Sequence, residues 1–359
     1  MPLCHALICL SAVLACQAPS TTTGGAGSSS GGAGSLSSSA VGTTSSGASS
    51  AGNSSSGVTT VSSSRAGIPD GGPAVGNVRF FGFAAVDCGY DDPLDTSTIT
   101  NYLDEVSGFT NTAHVCVASP TDDLHARLTR AAAAGVRGLL DINALVFHSV
   151  AGASSANPAL RLALRSDAAS RLASFFTLNA TVLDAQHVLA LYVADEPAWN
   201  GMTMADLQAG VDLVRAKSTL PIALVEAGAA LGHLVVPAAV DLLGADRYDT
   251  ADPEMDATWR ADVTTLLALR SRPEQRLLLV MDTQWRTYYG AAGIQPEGMA
   301  FVAQSTLRVA VQTPEVVGVL GYLWPGGFDL PDQKGARELP ESVQAVYRDI
   351  GHAVMAHVP

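Results

Sequence analysis

The chain has 359 residues and a formal charge of −13, because 33 acidic side chains stand against 20 basic ones. This length is typical of one large domain or two small ones. The acidic excess argues against nucleic acid or an anionic membrane surface as a partner, because both bind clustered lysine and arginine. Outside the extreme N-terminus no apolar run reaches the 18 residues of a membrane span, which excludes a polytopic membrane protein.

The first 16 residues are typical of an export signal. An apolar segment over residues 3–15 ends in Val13-Leu14-Ala15-Cys16. Small residues before a cysteine resemble the bacterial lipobox, which implies cleavage and a lipid on Cys16. An ordinary cleaved signal peptide is the alternative, since no Lys or Arg precedes the apolar segment. Either interpretation predicts an exported protein: an outer-membrane or cell-surface lipoprotein whose only membrane contact is the lipid, or a secreted protein.

Residues 17–76 have a different composition. Of the 45 positions from 20 to 64, 35 are Ser, Thr or Gly and none is charged. Such a segment has too little apolar surface to offset the entropy of ordering it. We therefore predict a disordered tether with a reach of roughly 35–40 Å. A dispensable low-complexity insert is the alternative.

From residue 77 to residue 359 the pattern becomes regular and predicts an α/β barrel. Eight short apolar, β-rich runs recur, at 80–86, 112–118, 138–145, 188–194, 221–225, 240–245, 277–281 and 316–323. Helical spacing lies between them, as at Leu207, Val211 and Val214. Strict alternation implies parallel strands with crossover helices, and eight such units have the size of a (β/α)₈ TIM barrel. A doubly wound sheet is disfavoured because no glycine-rich phosphate loop follows the first run.

Two cysteines, Cys88 and Cys116, belong to this domain and lie at the ends of neighbouring predicted strands. An exported compartment permits a disulfide between them, and two buried thiols are the alternative. No CxxC, HxH or HExxH spacing occurs, so the sequence predicts neither a metal nor a cofactor.

A barrel places its function at the carboxyl ends of its strands. Carboxylates, amides and aromatic rings lie near or just after the ends of the predicted strands there: Asp87, Asn143, Asp195, Glu196, Trp199, Glu226, Asp246, Tyr248, Asp282, Gln284, Trp285, Tyr322 and Trp324. Flat rings stack on the C–H faces of sugars and carboxylates perform acid–base chemistry, so this composition predicts a carbohydrate site.

Several of these residues also have structural interpretations. Any one of the tryptophans could cap the barrel core. Glu226 is either a second base or a helix cap, and Asp246 could form an ion pair with Arg247.

The segment from Leu191 to Trp199 reads LYVADEPAW and contains the most specific motif. It resembles the strand-four motif of the retaining glycoside hydrolases of the (β/α)₈ clan A, in which Asn-Glu or Asn-Glu-Pro ends the strand. The resemblance implies that Glu196 is the general acid/base and that Asp195 replaces the clan's substrate-binding Asn. An ordinary helix start with Asp-Glu-Pro is the structural alternative.

The clan also has a glutamate nucleophile after strand seven, where this chain has Asp282, and Gln284 cannot replace it. Three hypotheses stay open. Asp282 is the nucleophile or the base that activates water; or Asp195 and Glu196 act together, as in barrel β-N-acetylhexosaminidases, with the substrate's acetamido group as nucleophile; or the barrel binds glycan without cleaving it. The sequence therefore predicts a monomeric O-glycosyl hydrolase of poly- or oligosaccharides. The longest insert, 146–186, is the candidate specificity element.

Overall fold

The computed structural model describes residues 73–357. Cys16, the export signal and most of the predicted tether lie outside these residues. The strands are β1 (Phe80–Asp87), β2 (Thr112–Cys116), β3 (Arg137–Asp141), β4 (Phe147–Ala151), β5 (Leu160–Leu164), β6 (Val188–Asp195), β7 (Ile222–Ala227), β8 (Leu242–Asp246), β9 (Arg276–Asp282) and β10 (Val316–Tyr322).

Eight of these strands form a closed parallel barrel. Its order is β1-β10-β9-β8-β7-β6-β3-β2, and β2 pairs again with β1. The remaining two, β4 and β5, form a separate antiparallel hairpin. The predicted (β/α)₈ TIM barrel is confirmed, and the fourth and seventh barrel strands are β6 and β9.

Helices connect most of the strands. They are α1 (Leu103–Val106), α2 (His125–Ala133), α3 (Asn143–Val146), α4 (Ala168–Leu178), α5 (Met204–Arg215), α6 (Ala257–Leu269), α7 (Thr287–Ala291), α8 (Met299–Gln312) and α9 (Glu341–His357). The expected strict alternation fails after β7, where a 3₁₀ turn at Gly228–His233 replaces an α-helix. Glycines at 228 and 232 and a proline at 237 disfavour an α-helix in this short connection.

The third barrel strand is shorter than predicted. It ends at Asp141, whose carboxylate accepts the backbone N–H of Asn143 at 2.9 Å. A side-chain acceptor two residues before an N–H favours a turn over an extended strand. The chain therefore enters α3, and Asn143 is the first residue of that helix rather than part of the strand.

The long third connection contains the β4–β5 hairpin and α4. The tip and the second strand of the hairpin lie on the turn that follows β6: Ser155 N donates to Trp199 O at 3.0 Å, and Leu162 N donates to Asn200 O at 2.8 Å. The longest insert thus packs beside the turn that contains the most specific motif.

The barrel strands are apolar on both faces because two core layers cover them. Tyr192 and Leu278 belong to the layer inside the barrel, and their neighbours Leu191 and Leu279 belong to the layer between strands and helices. Successive residues of a strand face opposite sides, so a strand covered on both sides becomes a continuous apolar run. Burial of each large aliphatic side chain contributes about 1.5–3 kcal/mol.

Cys88 and Cys116 form a disulfide with an S–S distance of 2.01 Å, which decides between the two alternatives for these cysteines. The bond joins the residue after β1 to the last residue of β2. Among residues 73–357, none of the helices combines the length and the apolar character needed to cross a membrane.

Candidate active site at the carboxyl ends of the strands

Glu196 directly follows β6 and is almost fully buried, with 4% of its surface exposed. Its φ angle is 45°, in the left-handed region that non-glycine residues rarely adopt. Its backbone N–H donates to Val225 O at 2.7 Å. A turn follows, and α5 begins only at Met204, so the motif is not an ordinary helix start. Strained backbone of this kind is concentrated at functional sites.

The carboxyl group of Glu196 is hydrogen-bonded to the carboxyl group of Asp246, the last residue of β8. Two carboxyl groups can share a hydrogen bond only when one of them carries a proton. Tyr248 donates its hydroxyl to Asp246 Oδ2 at 3.1 Å. Arg247 pairs with Asp262 instead of Asp246, so the ion pair considered from the sequence is not formed.

Both carboxyl groups of this pair hold protons more tightly than usual. Burial raises the pKa of Glu196 well above its usual range, and the negative charges of Asp246 and Asp195 raise it further. Burial, followed by the charge of Asp195, raises the pKa of Asp246 to about 8. The charged form of Glu196 is therefore disfavoured at neutral pH, so the carboxyl group keeps its proton there.

Asp195 lies beside this pair and is held by Tyr192, whose hydroxyl donates to Asp195 Oδ1. Strict alternation would put two residues three positions apart on opposite faces of a strand. The pairing of β6 with β7 shifts register between Tyr192 and Ala194, and this irregularity lets the two side chains meet. Sequence reasoning gave Tyr192 no role, because a register shift leaves no local signal.

Glu226, on β7, is fully buried. Its Oε2 accepts the N–H of Ala198 at 2.7 Å, and its Oε1 accepts the N–H groups of Trp199 at 3.1 Å and Ala227 at 3.0 Å. Burial raises the pKa of Glu226 to about 7 against the opposing effect of these three donors. Of its two sequence interpretations, this geometry matches a cap, although the capped element is the turn after β6 and not a helix.

Asp282 ends β9 and is also buried, at 4% exposure. Its Oδ2 accepts the hydroxyl of Tyr289 at 2.7 Å and the N–H of Asp249 at 3.1 Å. Burial raises the pKa of Asp282 to about 7, while the Tyr289 hydrogen bond opposes the rise. The second oxygen, Oδ1, is buried and has no hydrogen-bond partner among the described residues. Tyr289 was missed from the sequence because it comes from the next helix, α7.

Gln284 and Tyr322 belong to a buried network beside Asp282. Gln284 Oε1 accepts from Arg286 Nε at 2.9 Å and from Gln333 Nε2. Arg286 and Asp329 form an ion pair at 2.9 Å, with side chains 4% and 0% exposed. The Tyr322 hydroxyl donates to Asp329 at 2.9 Å. The oxygen of Gln284 and the hydroxyl of Tyr322 are therefore already engaged within the protein.

The three predicted tryptophan platforms lie in different environments. Trp324 is buried: its ring centroid is 4.8 Å from that of Phe83, and its Nε1 donates to Glu105 at 2.6 Å. It packs in the layer between strands and helices. Trp199 and Trp285 are only half-buried, and Trp199 lies on the turn that carries Glu196. The structure thus leaves two of the three indoles partly open at the rim.

Asp87 ends the first barrel strand, and Asn143 begins the helix α3 that follows the third barrel strand. Asp87 forms an ion pair with Arg127 at 2.8 Å. Asn143 is buried.

In the described part, one group of side chains has the spacing of a metal site, Cys88, His114 and Cys116, but both sulfurs are in the disulfide.

Comparison with known proteins identifies the fold. No protein-family model matches the sequence, and no curated protein matches it. A solved glucosidase from Croceicoccus marinus aligns with a TM-score of 0.50 and 14% identity over 79% of this chain and 68% of the other. A GH113 β-1,4-mannanase aligns with a TM-score of 0.51 and 10% identity over 77% and 99%. At such identities the likeness shows the shared barrel fold alone.

Proposed function

We propose that this protein is a glycoside hydrolase that cleaves an O-glycosidic bond of a poly- or oligosaccharide. The observation that carries the proposal is the carboxyl pair of Glu196 and Asp246 at the rim, in which burial and neighbouring charges favour a protonated Glu196. A carboxylic acid that keeps its proton at neutral pH is what protonation of a glycosidic oxygen needs. The two similar structures are named as a glucosidase and a mannanase, which supports this class of substrate.

In the proposed reaction, Glu196 transfers its proton to the glycosidic oxygen while the bond from that oxygen to the anomeric carbon breaks. Asp282 supplies the second carboxylate, because the hydroxyl of Tyr289 hydrogen-bonds to its Oδ2 and favours the charged form against burial and the charge of Asp249. Neighbouring groups therefore push the pKa values of Glu196 and Asp282 apart, as an acid and its partner base require. Asp282 either attacks the anomeric carbon or deprotonates the attacking water. In the first case the deprotonated Glu196 then activates a water molecule, which breaks the bond between the sugar and Asp282 and releases the sugar.

The remaining rim residues would hold the sugar. Asp195, oriented by Tyr192, accepts hydrogen bonds from sugar hydroxyls. The half-buried rings of Trp199 and Trp285 offer apolar faces for sugar C–H groups. Tyr248 lies beside Asp246 and adds a phenol to the same wall.

A second candidate is a substrate-assisted enzyme acting on N-acetyl sugars. The hydrogen bond from Tyr192 to Asp195 favours it, because a fixed Asp195 next to Glu196 could orient the acetamido group that replaces an enzymatic nucleophile. In that mechanism Glu196 stays the proton donor and Asp282 is dispensable.

We also propose that the protein is exported and, through Cys16, lipid-anchored. The Cys88–Cys116 disulfide supports an oxidising compartment. Mass spectrometry of the purified mature protein, compared with Cys16→Ser, would reveal a diacylglyceryl-sized increment on the wild type only; an unmodified mass for both contradicts the anchor.

The decisive experiment measures release of reducing ends from polysaccharides and aryl glycosides by the wild type, Glu196→Gln and Asp282→Asn. Both substitutions should lower kcat by about 10²–10⁴-fold, since each removes a group that transfers a proton or attacks in the transition state. Loss with Glu196→Gln alone, confined to N-acetyl sugars, would select the substrate-assisted mechanism. Glycan binding without any turnover would contradict hydrolysis and make the barrel a binding protein.

A further inference from the structure

The turn that carries Glu196 is held from behind by one buried carboxyl group. Glu226 accepts the N–H groups of Ala198 and Trp199, the second and third residues after Glu196, together with the N–H of Ala227. Because the chain turns here without forming a helix, the N–H groups of Ala198 and Trp199 have no helical carbonyl to pair with. A carboxylate that accepts several N–H groups is a strong local clamp.

Glu226 itself does not face the proposed substrate. Val225 packs in the layer inside the barrel and Leu224 in the layer outside it. Side chains alternate along a strand, so Glu226 points to the outer side, towards the turn, and it is fully buried there. It therefore acts on the reaction through the segment that carries Glu196, and also through its negative charge, which raises the pKa of Glu196.

Glu196 depends on such a clamp because its backbone is in an unfavourable conformation. A non-glycine residue at a φ of 45° persists only when the surrounding contacts hold it. The backbone around Glu196 is hydrogen-bonded to a single strand, β7. The N–H of Glu196 donates to Val225 O, and the N–H groups of Ala198 and Trp199 donate to Glu226.

We infer that Glu226 is a positioning residue that holds the proton donor Glu196 in its reactive orientation. This inference rests on the proposed hydrolase function. It assigns Glu226 neither to the base role considered from the sequence nor to substrate binding.

Displacement of Glu196 should affect substrates differently according to their leaving groups. Proton donation matters when the leaving group is a poor one, such as the alkoxide of a sugar, and matters little for a dinitrophenolate, which leaves without a proton. Displacing Glu196 should therefore slow the cleavage of alkyl or sugar glycosides much more than that of dinitrophenyl glycosides. A general loss of structure would slow both alike.

The test compares Glu226→Gln with Asp241→Asn, a matched control at the other end of β7. Asp241 also accepts a backbone N–H, that of Ile222 at 2.9 Å, and pairs with Arg215, but it lies far along the strand from Glu196. We expect Glu226→Gln to lower kcat by about 10–100-fold on alkyl glycosides and by less than about threefold on dinitrophenyl glycosides, with KM nearly unchanged. Asp241→Asn should lower the Tm and leave both kcat values alone.

A second variant and a second readout cover the case of poor folding or no turnover. Glu226→Asp keeps the charge but withdraws it by one methylene, and should show the same leaving-group signature. Hydrogen exchange followed by mass spectrometry should show faster exchange in the peptide over residues 197–202 in both Glu226 variants and not in Asp241→Asn.

Three results would overturn the inference: equal losses on the two substrate classes, unchanged kcat on alkyl glycosides, or unchanged exchange over residues 197–202. Failure of the hydrolase proposal is distinct, because it appears as full turnover by Glu196→Gln or as no turnover by the wild type. In the latter case the exchange measurement still decides whether Glu226 holds the turn.

Discussion

The two sides of the rim bury polar groups to a similar degree and stabilise them in opposite ways. On the side of β6 and β8, Glu196 and Asp246 share a hydrogen bond between carboxyl groups, and burial, followed by neighbouring negative charges, raises their pKa values. On the side of β9 and β10, Asp329 lies against the guanidinium of Arg286 and accepts two further hydrogen bonds, from Tyr322 and Gln333.

The difference shows how one rim can contain both a side whose carboxyl groups keep their protons and a rigid side held by an ion pair. A buried carboxyl group must either keep its proton or find a cation and donors, since an unpaired charge away from water costs several kcal/mol. The first side keeps the proton and is thereby able to donate it. On the second side the ion pair with Arg286 neutralises the charge of Asp329. The hydrogen bonds of this pair fix the positions of Gln284 and Tyr322. Asp282 is intermediate: it accepts two hydrogen bonds, and its pKa is about 7.

The largest expected effect on stability comes from breaking the rigid side. Arg286→Met leaves Asp329 buried without its cation, and we expect the free energy of unfolding to fall by about 3–5 kcal/mol. Urea unfolding measures this change. Arg130→Met, which removes an exposed pair with Asp104, is the matched control and should change stability very little. A loss below about 1 kcal/mol for Arg286→Met would mean that Asp329 is already neutral in the wild type.

The second prediction concerns the effect of pH on stability. Burial raises the folded-state pKa values of Glu226 and Asp282 to about 7 and that of Asp246 to about 8, all above their values in an unfolded chain. At these three carboxyl groups the folded protein thus binds more protons than the unfolded one between about pH 4 and pH 8. The free energy of unfolding should therefore fall as the pH rises through this window.

Thermal unfolding at constant ionic strength checks this prediction, with a Tm at pH 5 higher than that at pH 8. Asp246→Asn should flatten the dependence, because the amide does not titrate. A Tm that rises from pH 5 to pH 8 would show that these carboxyl groups are ionised in the folded protein.

The smallest expected effect is on the pKa of Asp282. Tyr289→Phe removes the hydroxyl that stabilises the Asp282 carboxylate, so the pKa of Asp282 should rise. A net hydrogen-bond contribution of about 1 kcal/mol corresponds to a shift of about 0.7 pH units. If Asp282 must be ionised, the acid limb of the kcat/KM profile should move to higher pH by this amount, with activity recovering in alkaline buffer.

Tyr192→Phe is the control for this shift, because Tyr192 donates to Asp195 on the other side of the rim and should leave the acid limb in place. An unchanged acid limb in Tyr289→Phe would show that the ionisation of Asp282 does not govern the reaction. That result would favour the substrate-assisted mechanism, in which Asp282 has no chemical step.

The barrel itself could be predicted because its signal is local. Each strand is a short apolar run such as Leu277–Met281 within β9, and each run is continuous because core covers both of its faces. The position of Glu196 at the rim followed from the same pattern, since the residue after an apolar strand lies at the carboxyl end of the barrel. Both predictions depend only on residues that are close together in the sequence.

The contacts that decide what the rim residues do could not be predicted in this way. Glu226 meets Ala198 across 28 positions, and Arg286 meets Asp329 across 43. Trp324 follows the last strand as Trp285 follows the seventh, yet Trp324 packs against Phe83 in the outer layer while Trp285 stays half-buried. The sequence alone determined which residues follow the strands, because strand periodicity is a short-range property. Only the tertiary structure decided which carboxyl group keeps its proton, because that depends on burial and on charges brought together by barrel closure.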